Sequence, residues 1–174
     1  RVAIEKGLQE FLDLDLPGSK VVVGDGPMLD ELRTGYPDAH FTGYLEGEAL
    51  AAAMASADVF VFPSRTDTFG LVMIEALASG VPVAAFDVPG PRDIITNDVG
   101  AIGDDLASSI ERALKRCPSR CRAHALTYSW ERAALQFENY LASIDHAGQN
   151  AFRRLSPSRR DHARTPAPML AGPE

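Results

Sequence analysis

The chain has 174 residues, 45% hydrophobic and 24% charged, enough for one domain with a real core and ordinary for a globular protein in water. Its net charge of -7 argues against general nucleic-acid binding, which needs a basic face. No apolar run approaches the roughly 18 residues of a membrane span. The chain opens on Arg1 with neither a signal sequence nor an initiator methionine, and is expected to be a fragment or a processed product. Two cysteines, Cys117 and Cys121, make no disulfide framework and read as reduced thiols in a cytosolic setting.

In chain order, Ile4 to Leu14 places Ile4, Leu8, Phe11 and Leu12 on one face of a predicted helix. Pro17-Gly18 turns the chain, and Lys20 to Gly24 reads as a short buried strand. Gly24-Asp-Gly-Pro27 breaks it, with Pro27 at the first position of a helix running from Met28 to Gly35. A brief strand, His40 to Gly43, precedes an alanine-rich helix from Glu46 to Ala57, and Asp58 to Phe62 is the third strand. The helix of the next stretch leads to a fourth strand, Val81 to Phe86, with Pro82 near its start. A short helix follows Pro89-Gly-Pro91, and Val99 to Ile102 is a fifth strand. Asp105 to Arg116, Ser119 to Tyr128 and an amphipathic Trp130 to Ile144 are helical. Strands alternating with helices at this spacing predict an α/β fold, a Rossmann-like doubly wound parallel sheet, over residues 1–147. In residues 148–174 prolines and arginines replace large apolar residues, and a disordered basic tail is expected.

The stretch from Pro63 to Gly80 carries the chemistry. An apolar strand stops at Pro63, a polar loop follows, and then comes an apolar run long enough for about three helical turns, closed by Gly80. A helix apolar on nearly every side is expected to be buried, with Glu75, its one charge, turned toward a polar partner. Asp67 falls at the C-terminal end of the strand, where open α/β sheets bind ligands. Between the two acids, the free N–H groups of Phe69, Gly70, Leu71 and Val72 form a helix start suited to an anion. An acid at the mouth, an anion seat and a second acid two turns on describe a site for a phosphorylated, hydroxyl-rich ligand. Cys117, Cys121 and His124 lack the spacing of a usual zinc site. Gly24-Asp-Gly26 is too short for a dinucleotide fingerprint and reads as a turn lining a base pocket.

Arg1-x4-Lys6, the Gly24-Asp-Gly-Pro27 turn, Phe41-Thr-Gly43, Pro63-Ser64 and Asp67-x-Phe-Gly-x4-Glu75-Ala76 together resemble the C-terminal half of retaining glycosyltransferases of family 4. The resemblance covers about residues 1 to 144 and implies the GT-B architecture, two Rossmann-like domains facing across a cleft. It implies catalytic roles for Asp67 and Glu75, the first on the transferred sugar and the second on the ribose hydroxyls. Asp67 stands where the family usually has Glu. Arg1 and Lys6 match the basic pair that holds the donor diphosphate, helped by backbone N–H groups at Leu71 and Val72, and Tyr44 and Leu45 lie where the family contacts the base. The implied donor is a UDP- or GDP-linked sugar, with no obligatory metal or other cofactor. The implied acceptor is a lipid or glycan held mainly by an N-terminal domain.

Two departures stand out. The family's twin glycine appears as Pro89-Gly90-Pro91. The family also has a strand just before Arg1, whose loss is expected to leave a gap in the middle of the sheet. A cytoplasmic location follows from the resemblance, with peripheral contact to the inner face of a membrane through the basic tail. The fragment alone is expected to bind donor weakly and to catalyse little. A non-catalytic nucleotide-binding or interaction module and a sugar-nucleotide epimerase domain stay open as alternatives.

Overall fold

The computed structural model describes residues 1–141. The chain divides into two compact units, Arg1–Arg132 and Ala133–Glu174. The architecture below is that of the first unit. The expected tail and the end of the last helix lie outside the described residues.

A 3-10 turn (Ile4–Lys6) and helix α1 (Leu8–Leu12) open the chain. There follow β1 (Val21–Val23), α2 (Leu29–Gly35), β2 (His40–Gly43), α3 (Gly47–Ala55), β3 (Phe60–Phe62), α4 (Leu71–Ala78) and β4 (Val83–Phe86). The order ends with α5 (Pro91–Ile94), β5 (Gly100–Gly103), α6 (Leu106–Ala113), α7 (Pro118–Ala125) and α8 (Trp130–Tyr140), which crosses into the second unit. Every predicted strand is present, and all pairing is parallel. The α/β expectation holds.

One predicted helix is broken. Gly7 interrupts Ile4 to Leu14 with φ 62°, and a Cβ there would lie 2.6 Å from the Pro63 carbonyl oxygen. The interruption turns Ile4 off the face it was expected to share with Leu8 and Phe11, leaving it 78% exposed. The left-handed turn that glycine permits, and the close approach of the Pro63 backbone that its missing side chain allows, override the periodicity.

Alternation along β4 shows why the sheet is covered on both sides. Val83 and Ala85 join a core with Met73, Ala76 and Leu77 of α4 and Cys121 and Ala125 of α7. Ala84 and Phe86 face the other way, onto Leu106, Ile110 and Ala113 of α6. With period 2 along the strand and apolar residues on both faces, β4 is the buried centre of the three-stranded sheet β3-β4-β5. Met73 and Leu77 are fully buried, and each such side chain contributes about 1.5–3 kcal/mol of transfer free energy.

The sheet itself is in two pieces. β1 pairs only with β2, and among the described residues no ladder joins that pair to β3-β4-β5. What links the pieces is the opening segment together with α1, whose Phe11 packs against both neighbouring cores. The Val2 N–H donates to the Asp25 carbonyl at 2.8 Å and the Val2 carbonyl accepts from Met28 at 3.3 Å, fixing Val2 to the β1 side. Three residues later, the Glu5 carbonyl accepts from the Ser64 hydroxyl at the end of β3.

Candidate functional site

The site forms where the opening segment meets the end of β3. The strand stops at Pro63, Ser64 is buried, and the loop then turns outward so that Asp67 lies at the surface end of the sheet. Lys6 reaches it across the seam: its Nζ donates to Asp67 Oδ1 at 2.8 Å and to Oδ2 at 2.9 Å. Both side chains are about a third exposed or less, at 30% and 27%. Burial works to raise the Asp67 carboxyl. The hydrogen bonds from Lys6 outweigh it, with the charges of Lys6 and the amino terminus, so the Asp67 carboxyl is held below the usual carboxylate range.

Two glycines let this loop lie where it does. Gly70 caps α4 with φ 72°, and a Cβ on it would come 2.8 Å from Met73 Cε and 3.0 Å from Phe62 Cζ. Gly90, with φ 86°, lies against the backbone of the loop itself, where a Cβ would meet the Asp67 carbonyl at 2.9 Å and that of Thr68 at 3.0 Å. Arg65 adds a third hold. It pairs with Glu10 at 2.9 Å while its guanidinium covers the Phe86 ring, 3.5 Å from the centroid.

No side chain caps α4. The contrast is α6, where Asp105 accepts from Ala107 and Ser108 at 3.2 Å each. The first N–H groups of α4, at Leu71 and Val72, therefore stay open beside Asp67, as an anion seat requires.

Glu75 corrects the sequence reading. It is exposed, and so are Leu71 and Ala78, which with it make one stripe of α4, while Met73, Ala76 and Leu77 make the buried face. Apolar composition alone suggested a helix covered all round. The structure leaves one stripe open at the surface, and the charge needs no protein partner there.

The remaining predicted residues are only partly gathered. Arg1 pairs with Glu5 inside its own turn and is 69% exposed. Gly24 lies at the amino terminus: a Cβ on it would sit 3.9 Å from the Arg1 nitrogen, and its N–H donates to the Gly43 carbonyl at 2.8 Å. Tyr44 is exposed and hydrogen-bonds Glu46 at 3.2 Å, Leu45 is half-buried, and Phe69 is exposed. Among the described residues no hydrogen bond or ion pair joins Glu75, Tyr44 or Arg1 to Asp67. Cavities of about 450 and 340 Å³ lie elsewhere, the larger lined by Ala55, Ser79 and Pro82, and no predicted site residue lines either one. Cys117, Cys121 and His124 do not converge: Cys117 faces Ser119, Cys121 points at the Val99 carbonyl, and His124 lies 2.8 Å from that of Ile94.

Sequence reasoning passed over Ser64, Gly7 and the contact made by Gly90. A glycine in the middle of a helical pattern was the available signal for Gly7. Ser64 stood in the motif, but nothing local marked its bond to Glu5, which lies 59 positions away.

Residues 10–117 match the family described as Glycosyl transferases group 1. Sulfoquinovosyl transferase SQD2 of Arabidopsis thaliana is 45% identical over 104 residues, 56% of this chain and 20% of that protein. The GDP-mannose-dependent alpha-(1-6)-phosphatidylinositol dimannoside mannosyltransferase of Mycobacterium tuberculosis is 33% identical over 153 residues, 77% of this chain and 40% of that one. This chain thus spans well under half the length of either relative. Among solved structures, sucrose-phosphate synthase from Thermosynechococcus elongatus superposes with a TM-score of 0.67 at 26% identity, over 89% of this chain and 43% of that one. No helix among the described residues is long and apolar enough to cross a membrane. Matched by the family over residues 10–117 and sharing its parallel α/β plan with these enzymes, the chain belongs to the group 1 glycosyl transferases, of GT-B fold.

Proposed function

We propose that this chain is the donor-binding domain of a retaining glycosyltransferase, which takes a sugar from a nucleoside diphosphate and passes it to a lipid or glycan acceptor held by a further domain. The observation that carries the reading is the Lys6–Asp67 pair beside the uncapped start of α4. An ammonium has three N–H donors, and Asp67 occupies two of them. The third is open to a phosphate oxygen, so Lys6 can bridge acid and diphosphate at once.

In the transfer step the bond between the anomeric carbon and the phosphate oxygen breaks, its electron pair leaves with the nucleoside diphosphate, and the acceptor hydroxyl oxygen bonds the anomeric carbon as its proton passes to the departing phosphate. Lys6, Arg1 and the N–H groups of Leu71 and Val72 stabilise that charge as it develops, the largest kind of catalytic contribution. This cluster supplies the positive charge that a divalent cation would otherwise bring, so no metal is required. Asp67 keeps lone pairs for the sugar hydroxyls, and Glu75 on the open stripe of α4 is placed to accept from the ribose. The relative from Mycobacterium tuberculosis is named for GDP-mannose, which makes that the first donor to test, with UDP sugars second.

The test is calorimetric titration of the chain with GDP, UDP and their sugar conjugates, alone and extended at the amino terminus. One nucleotide should bind, and Glu75→Gln should lose about 1–3 kcal/mol, the range for a hydrogen bond to a charged group. Because Glu75 is exposed, its thermal midpoint should not move. Undiminished affinity in Glu75→Gln would remove that residue from the site, and silence from every nucleotide in the extended chain would overturn the donor-domain reading.

A further inference from the structure

Two hydrogen bonds converge on one small side chain. Ser64 is 1% exposed, and its hydroxyl donates to the Glu5 carbonyl at 3.1 Å while accepting from the Thr66 N–H at 3.4 Å. Glu5 immediately precedes Lys6, and Thr66 immediately precedes Asp67. One oxygen therefore touches the backbone next to each member of the ion pair, from segments 59 residues apart. Beside it, Gly7 lets the same segment lie against the Pro63 carbonyl, where a Cβ would come within 2.6 Å.

We propose that Ser64 is the positioning residue of this site: its hydroxyl fastens the loop that carries Asp67 to the segment that carries Arg1 and Lys6, and so fixes the acid against the cation. The proposal deepens the donor-site reading and rests on it for its consequence in nucleotide binding. Its geometric part stands on the seam alone.

The chemistry of the position is narrow. Alanine would leave a buried carbonyl and an N–H without their partner. A larger side chain has no room at a site already closed to solvent. Serine supplies one donor and two acceptor lone pairs in the smallest volume. Losing the hydroxyl frees the loop that carries Asp67 from the segment that carries Lys6 and loosens the hold of the cation on the acid. That loosening pushes the acid toward easier protonation.

A merely buried, satisfied serine would cost stability when removed and nothing else. The discriminating measurement is the titration of the individual carboxyl groups by NMR in the whole chain, for the wild type, Ser64→Ala and Ser64→Cys. Cysteine nearly keeps the volume and gives up the strong donor, so it reports even if the alanine variant does not fold. Asp67 should titrate at higher pH in both variants, while Asp87, held by Arg92 at 2.5 Å on another loop, stays unchanged as the internal reference. Calorimetry on the same samples should show the nucleotide dissociation constant rising about fivefold, as expected for one net hydrogen bond. An Asp67 titration curve that does not move in the folded variants overturns the proposal. If the wild type extended at the amino terminus binds no nucleotide, the donor-site reading fails, and the Asp67 titration still decides the role of Ser64.

Discussion

Lys6 and Asp67 stand 61 positions apart in sequence and share two hydrogen bonds in space. A pair about a third exposed is worth only about 0.5–1 kcal/mol at neutral pH, so its role is better sought in charge placement than in stability. Its pH dependence has a definite sign. The native carboxyl titrates below its ordinary value, so the folded state binds the proton less readily than the unfolded one. The stability it contributes is complete above about pH 4 and is lost as pH falls through the lowered native value. Lys6→Met should therefore unfold at a higher pH on the acid limb and show an Asp67 carboxyl shifted upward, as circular dichroism and carboxyl NMR would record. An unchanged acid midpoint would mean that Lys6 does not hold the acid in solution. Asp67 and Glu75 drew notice in the sequence through their spacing around a helix start, whereas Lys6 entered through the resemblance and its contact with Asp67, 61 positions away, had no local signal. The exposure of Glu75 was not legible, since composition says how apolar a helix is and not which of its stripes a neighbouring element covers.

At the level of elements, local chemistry predicted most of what formed. Pro82 stands just before β4, and its carbonyl accepts from Phe60 at 2.9 Å, so the ring sits where no ladder N–H is needed. Gly80 follows α4 with φ 81°, as a helix end requires. The failures share one cause. Gly7 and Gly90 are set by backbone from distant parts of the chain, which no local window contains. Gly90 gives a sharp test, because a Cβ there meets carbonyl oxygens of Asp67 and Thr68 at about 3 Å in a backbone conformation that favours glycine. Gly90→Ala should destabilise the chain by more than about 1 kcal/mol and displace the Asp67 loop. Thermal melting reads the first effect, and the amide chemical shifts of residues 66–70 read the second. A variant as stable as the wild type with unmoved shifts would show that the Pro89 and Pro91 loop yields instead.

On the scale of the whole molecule, the five strands and the coverage of both faces of β4 follow from alternating strand and helix signals. The division of the sheet was not legible in any local window, because pairing partners are a long-range property. That division places the site unusually. Arg1 and Val2 belong to the side of β1 and α2, Asp67 to the side of β3, and between them run the Lys6 bridge and the Ser64 bond. With no ladder between the two sheets, each half can open as its own cooperative unit, and amide exchange resolves such units when their opening free energies differ. The amides of β1 and β2 should exchange faster than those of β4, with a common rate within each half. Uniform protection across both sheets would show that side-chain packing through Phe11 welds them into one.

A ligand that grips Lys6 from one side and the start of α4 from the other then acts as a clasp across two halves that no sheet ladder joins among the described residues. Its binding free energy would be stored as resistance to their separation. Occupancy would become visible far from the ligand, as slowed exchange in the strand Val21–Val23, which carries no predicted site residue.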